Sequence, residues 1–189
     1  MKNNALYSSD SILWGTDPEL FKLLNSTFQF QLDPASNHQN HLCPNYFTEE
    51  DDGLAQDWHP YRRIWLNPPF GKTISLWMKK AYEESQKGCL VVCLVPARVD
   101  TRWWHDWVKD KAYVQYPKGR LKYLKYSDGS GDQSGGAPFA SAIVIYGPDL
   151  ELRKNLSANP IEYKSLSLPL EHKRIFARNS SGPRNTIRS

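Results

Sequence analysis

The sequence predicts an α/β fold in which helices alternate with the strands of one sheet, on three observations. Ile64-Trp65-Leu66 is an apolar run that stops abruptly at Asn67-Pro68-Pro69-Phe70-Gly71, where two prolines cannot continue a sheet ladder. Residues 73–86 place Ile74, Trp77, Met78, Ala81 and Tyr82 on one helical face, with Lys79/Glu83 and Lys80/Glu84 pairs at i,i+4 on the opposite side. Leu90 to Val95 is continuously apolar, the pattern of a strand covered on both faces, and it ends at Pro96. Alternation of this kind implies an α/β sandwich.

In chain order, residues 1–12 are polar and are expected to be mobile. Trp14-Gly15-Thr16-Asp17-Pro18 leads into a helix over Glu19 to Asn25, with Thr16 or Asp17 as N-cap and Pro18 at the first helical position. Phe28 to Leu32 alternates apolar residues with Gln and predicts a strand ending at Asp33-Pro34-Ala35-Ser36, which sets a carboxylate at a strand's carboxyl end. That edge of an open α/β sheet is where ligands sit, although Asp-Pro is also an ordinary turn opener.

Asn45-Tyr46-Phe47 predicts a short strand, followed by the acidic run Thr48 to Leu54. Gly88 ends the long helix, and Asp100 is the expected cap of a helix carrying Trp103, Trp104 and Trp107, a triplet read as packing rather than base stacking. Tyr113 to Gln115 and Leu121 to Tyr126 predict two strands, Ser127 to Pro138 a flexible Ser/Gly-rich loop, and Ala142 to Tyr146 a final strand. A helix or irregular segment is expected to Leu170, then a basic tail over 171–189, so the domain is bounded at 1–170.

At 189 residues, 40% of them apolar, the chain suits one well-buried globular domain. No apolar run approaches the ~20 residues that span a bilayer, and the N-terminus lacks a signal pattern, so a soluble intracellular protein without a membrane partner is expected. Three cysteines, Cys43, Cys89 and Cys93, do not suit a secreted disulfide framework. His38, His41 and Cys43 lie close together, but no second cluster completes a tetrahedral set, so no metal is expected.

The net charge of +4 hides an asymmetry. Residues 1–57 hold two basic and nine acidic side chains, whereas 58–126 hold fourteen and five. A basic middle and tail beside an acidic N-terminal third fits a protein with one face turned to a polyanion.

Asn67-Pro68-Pro69-Phe70 carries the chemistry. The Asn67 carboxamide oxygen and the Pro68 carbonyl are two acceptors that can converge on one exocyclic amine. Accepting both of its hydrogens frees a lone pair otherwise conjugated into a ring, and Phe70 can stack on a base that has left its helix. A strand ending in a proline turn is the plain alternative.

This tetrapeptide resembles the (Asp/Asn/Ser)-Pro-Pro-(Tyr/Phe) signature of methyltransferases that act on amino nitrogens. With WGTDPELFKLLNSTFQFQLDPAS, CPNYFTEEDDGLAQDW, WLNPPFGKTISLWMKKA, LVPARVDTRWW, GRL and SAIVIYG, in that order over residues 14–147, the chain is similar to the compact phage-type DNA N-6-adenine methyltransferase (Dam) family. The resemblance implies a Rossmann-like S-adenosylmethionine-dependent methyltransferase fold, a single three-layer sandwich. It also implies methyl transfer to N6 of adenine in double-stranded DNA, in the cytoplasm of a bacterial host, with DNA as partner and no obligate protein partner.

By the same resemblance Asn67, Pro68, Pro69 and Phe70 are catalytic. Trp14, Thr16, Asp33, Pro34, Ala35, Asp52, Leu54 and Asn67 are expected to bind the cofactor, with Asp51 an alternative to Asp52 at its adenine. An Asp stands between Thr16 and Pro18 where many amino-methyltransferases have Thr-Pro, and no Gly-x-Gly follows the first strand. Lys72, Arg98, Arg102 and Arg120 are candidate phosphate contacts. Cytosine N4, an RNA base or a protein glutamine are alternative amines, and a catalytically silent DNA-binding relative is an alternative of another class.

Overall fold

The computed structural model describes residues 13–126, 132–136 and 138–147. The expected mobile start, the segment from 148 to Leu170 and the basic tail lie outside the described residues. Nine strands and three α-helices are found among those described: β1 (Leu13–Thr16), α1 (Pro18–Phe28), β2 (Leu32–Asp33), β3 (Asn45–Tyr46), β4 (Arg63–Leu66), α2 (Ile74–Gln86), β5 (Leu90–Pro96), α3 (Arg102–Trp107), β6 (Tyr113–Gln115), β7 (Lys122–Tyr126), β8 (Asp132–Gly136) and β9 (Ser141–Tyr146).

The main sheet has the order β3-β2-β4-β5-β9-β6. β3, β2, β4 and β5 are parallel, and β9 runs antiparallel to both β5 and β6. A second sheet pairs β1 with β7 and β7 with β8, all antiparallel. Because β4, β5 and β6 point the same way, the segments that leave them emerge at one edge of the main sheet, the usual ligand edge of open α/β sheets.

The continuous apolar run in β5 has two faces to fill. Leu90, Val92 and Leu94 join Trp65, Ile143 and Ile145 under Leu20, Phe21, Leu24 and Phe28 of α1. Val91, Cys93 and Val95 join Ile64, Leu66 and Val144 under Ile74, Trp77, Met78 and Ala81 of α2 and Trp104 of α3. The sheet is thus covered by helices on both faces, as its sequence pattern requires.

Five expectations are corrected. The helix expected over 19–25 continues to Phe28, and the strand expected over 28–32 shrinks to Leu32–Asp33. Leu20, Leu24 and Phe28 are spaced at one helical turn and are fully buried, so the helical period outweighs the alternation that begins at Phe28. Gln29 then ends the helix in the left-handed region, its N–H on the Asn25 carbonyl at 2.9 Å. Helix α3 is capped by Thr101 rather than Asp100: the Thr101 backbone is extended and its carbonyl accepts from Trp104 and His105.

The Ser/Gly-rich loop contains β8, whose backbone pairs with β7 despite poor β-propensity. Glu84, expected on the solvent face of α2, is fully buried and held between Lys80 at 2.9 Å and Lys87 at 2.8 Å. Asp17 is the N-cap of α1, its carboxylate accepting from the Glu19 N–H at 3.0 Å.

Candidate active site

Strand β4 lies between β2 and β5, and Pro68 and Pro69, lacking N–H groups, end its ladder one residue beyond Leu66. Alternation along the strand puts Trp65 and Asn67 on the same side. A cleft opens there, lined by Trp14, Gly15 and Thr16 of β1, by Asp33, Ala35, Ser36, Asn37, Asn40 and Leu42, by Glu49, and by Trp65 and Asn67 through Phe70. Of the eleven positions expected to be catalytic or cofactor-binding, the cleft gathers Asn67, Pro68, Pro69, Phe70, Trp14, Thr16, Asp33 and Ala35.

Asn67 is oriented by a bond across the chain: its Nδ2 donates to the Trp14 carbonyl at 2.7 Å. The other end of the carboxamide, Oδ1, is buried and has no partner among the described residues. The Thr16 hydroxyl and the Trp65 indole nitrogen, also in the cleft wall, are likewise buried and unpartnered.

Asp33 is 4% exposed at the end of β2. Burial raises its pKa to about 7, against the lowering effect of N–H groups from Leu42 and Ala35 and of nearby His41. The Leu42 N–H reaches Oδ2 at 3.2 Å. The loop between is folded by its own side chains: Asn37 Oδ1 accepts from the Gln39 and Asn40 N–H groups, and Asn40 Oδ1 accepts from that of Asn37. His41 stacks on Tyr46 at 4.0 Å, its Nδ1 3.1 Å from the Cys43 carbonyl oxygen, and His38 Nδ1 lies 2.9 Å from the Tyr46 hydroxyl. These side chains organise the loop.

Pro34 is buried, and its carbonyl abuts Gly53, where a Cβ would fall 2.0 Å from the oxygen. That contact lays the acidic turn against the end of β2. Asp52 and Leu54 do not line the cleft, and Asp52 is exposed with a positive φ of 53°. Asp51 is committed to its own turn, its Oδ2 accepting from the Thr48 N–H at 2.8 Å and hydroxyl at 2.9 Å, which holds its carboxyl below the ordinary range.

Sequence reasoning missed the company of Phe70. Its ring meets Tyr123 and Phe139 edge-on at 6.1 and 5.7 Å, and Trp14 meets the same two rings at 5.7 and 5.5 Å. Tyr123 is buried, its hydroxyl 2.9 Å from that of Ser141. The available signal was Phe139 just ahead of β9, opposite the end of β5 in the sheet.

Lys72, Arg98, Arg102 and Arg120 are all exposed. Lys72 follows the Asn67 turn, Arg98 follows β5, Arg102 opens α3, and Arg120 stands between β6 and β7, so the four follow the shared edge in chain order. Arg102 is partly engaged, Nε 3.3 Å from Asp106 Oδ2. Trp104 is buried in the core and Trp103 and Trp107 pack on it, which bears out the packing role. Burial pushes the Cys89 thiol up to about 11 and those of Cys43 and Cys93 higher still, so all three are inert at neutral pH. No described helix is long and apolar enough to cross a membrane.

The family model for DNA N-6-adenine-methyltransferase (Dam) matches residues 3–166. Over 95 residues the chain is 29% identical to the DNA N-6-adenine-methyltransferase of Escherichia phage T1, covering 50% of this chain and 40% of that protein. Over 151 residues it is 24% identical to the DNA N-6-adenine-methyltransferase of Haemophilus phage HP1 (strain HP1c1), covering 78% of this chain and 86% of that protein. A match over most of its length puts the chain among the methyltransferases. It belongs to the DNA N-6-adenine-methyltransferase (Dam) family. The family and the reaction class expected from the sequence, adenine-specific methylation of DNA, are thereby borne out.

Proposed function

We propose that the cleft is the active site for methylation of adenine N6 in DNA, with S-adenosylmethionine as donor. The observation that carries this is the buried Asn67 Oδ1, left without a partner among the described residues while Nδ2 is committed to the Trp14 carbonyl. An acceptor left unpaired at such a site waits for a donor, and an exocyclic amine supplies one.

Asn67 Oδ1 and the Pro68 carbonyl accept the two amine hydrogens and turn the nitrogen lone pair toward attack. The amine needs no base beforehand, because it becomes acidic once alkylated and loses its proton late. Phe70, backed by Tyr123 and Phe139, stacks on the flipped base and excludes water from one face. Trp14 acts through its carbonyl as the positioning group for Asn67.

The donor set of the cleft fits the cofactor. Asp33 is a buried carboxylate with no salt bridge among the described residues, suited to an ammonium, and Thr16 offers an unpaired hydroxyl in the same cleft. When bound, S-adenosylmethionine supplies an electrophilic methyl group. Ala35 lines the cleft, Pro34 props the acidic turn through Gly53, and Asp52 with Leu54 would hold the adenine end, Asp51 being occupied by Thr48.

In this reading the mixed sheet with helices on both faces is a Rossmann-like three-layer sandwich, and residues 1–170 form one catalytic domain followed by a basic tail. Lys72, Arg98, Arg102 and Arg120 contact DNA phosphates, and the reaction takes place in the bacterial cytoplasm. The test is incubation of purified protein with unmethylated DNA and labelled S-adenosylmethionine, followed by nucleoside mass spectrometry. N6-methyladenine is expected; methylation of cytosine alone, or of RNA or protein alone, overturns the reading.

A further inference from the structure

We infer that Trp65, assigned no role by the sequence, is a ligand-binding residue whose indole N–H donates to the carboxylate of the α-amino-acid end of the methyl donor, together with the Thr16 hydroxyl. The inference rests on the proposed function and deepens it.

Trp65 is 0% exposed, yet its Nε1 has no acceptor among the described residues. Tryptophan N–H groups buried in protein interiors normally find a partner, so an orphan is a statement about something that binds. Seven side-chain atoms are buried without partner among the described residues, and three of them, on Thr16, Trp65 and Asn67, belong to residues of the one cleft. The ring is not free to turn toward another acceptor. Phe21 packs on it edge-on at 5.7 Å and Phe30 at 5.4 Å, and the strand on which it sits is paired on both sides.

Register supplies the rest of the site. Leu32 of β2 pairs with Ile64 of β4, so Asp33 and Trp65 are the next neighbours across the parallel pair, and both line the cleft. One wall therefore brings together a buried carboxylate and two unpaired groups able to donate, an N–H and an O–H. A zwitterionic amino acid matches that set: its ammonium answers Asp33, and its carboxylate answers Trp65 and Thr16. Neutral Trp and Thr suit a carboxylate beside Asp33, since they bind it without competing for the aspartate.

The test is calorimetric titration of wild-type protein and Trp65→Phe with two probes, S-adenosylhomocysteine and methylthioadenosine, which lacks the amino-acid end. Trp65→Phe should weaken S-adenosylhomocysteine about tenfold, the effect of one lost hydrogen bond to a charged group, and leave methylthioadenosine unchanged. Its unliganded stability should equal or exceed that of wild type, because an unpaired buried donor has been removed. Equal affinity for S-adenosylhomocysteine in both proteins, or equal weakening of both probes, overturns the inference and leaves the proposed function standing. No binding of S-adenosylhomocysteine to wild type overturns both.

If Trp65→Phe does not fold, the indole ¹⁵N–¹H resonance of Trp65 in wild type decides. A downfield shift with S-adenosylhomocysteine and none with methylthioadenosine supports the inference, and an unmoved resonance overturns it.

Discussion

Asn67 Nδ2 donates to the Trp14 carbonyl across 53 positions of sequence, at 2.7 Å. The bond decides which end of the carboxamide faces the cleft, since only the amide nitrogen can serve a carbonyl. Asn67→Ala should therefore lower the methylation rate by about 10²–10³, the typical effect of deleting one preorganised polar group aimed at a transition state. Cofactor binding should persist, because Thr16, Asp33 and Trp65 remain. Single-turnover rates and S-adenosylhomocysteine calorimetry on the same preparation check both halves.

Asp33 makes the protein pH-sensitive in a definite direction. Its pKa is raised by burial from 3.8 to about 7, so the folded state binds a proton more tightly than the unfolded state does. The stabilisation is complete below about pH 4 and is lost as pH rises through about 7. Asp33→Asn should flatten that slope, a change of order a few kcal/mol, in urea midpoints taken from pH 4 to 8. A cationic ligand reverses the preference by favouring the carboxylate, so wild-type affinity for S-adenosylhomocysteine should rise with pH through 7, with proton release seen as buffer-dependent binding enthalpy.

How far the chain was legible follows from where the signals lie. The Asn67 turn, helix α2 and strand β5 could be read directly, because proline, helical period and a continuous apolar run are local signals. Strand β8 could not, because Asp132 to Gly136, which pairs with β7, is a Ser/Gly-rich sequence with poor β-propensity. The extent of α1 was misjudged because Phe28 satisfies both the helical and the alternating pattern, and only burial under α1's own face decides. Trp65 and Tyr123 were missed as site residues for the opposite reason: each looks like core, and what marks Trp65 out is an unpaired nitrogen that no sequence pattern reports.

Phe70 stands in an aromatic group with Trp14, Tyr123 and Phe139, and only Tyr123 among them is fully buried. Phe70→Ala should weaken binding of a flipped base by about 1–3 kcal/mol, the usual worth of one stacking partner. The fluorescence rise of 2-aminopurine at the target position should shrink accordingly. Tyr123→Phe loses the hydroxyl contact to Ser141 at 2.9 Å and should cost about 1 kcal/mol of stability with methylation retained.

Gly53 tests whether the acidic turn must press on the end of β2. A methyl group there would sit 2.0 Å from the Pro34 carbonyl oxygen and 3.2 Å from the Trp77 ring, and neither backbone nor buried indole can yield cheaply. Gly53→Ala should cost at least about 1–3 kcal/mol in chemical unfolding, as overpacking does elsewhere. Because Pro34 follows Asp33 directly, relief of the clash must move the carboxylate as well. The variant should then show a displaced Asp33 titration and weaker S-adenosylhomocysteine binding even at temperatures where it is fully folded. A variant that loses stability but keeps wild-type affinity would mean the turn supports the fold without positioning Asp33.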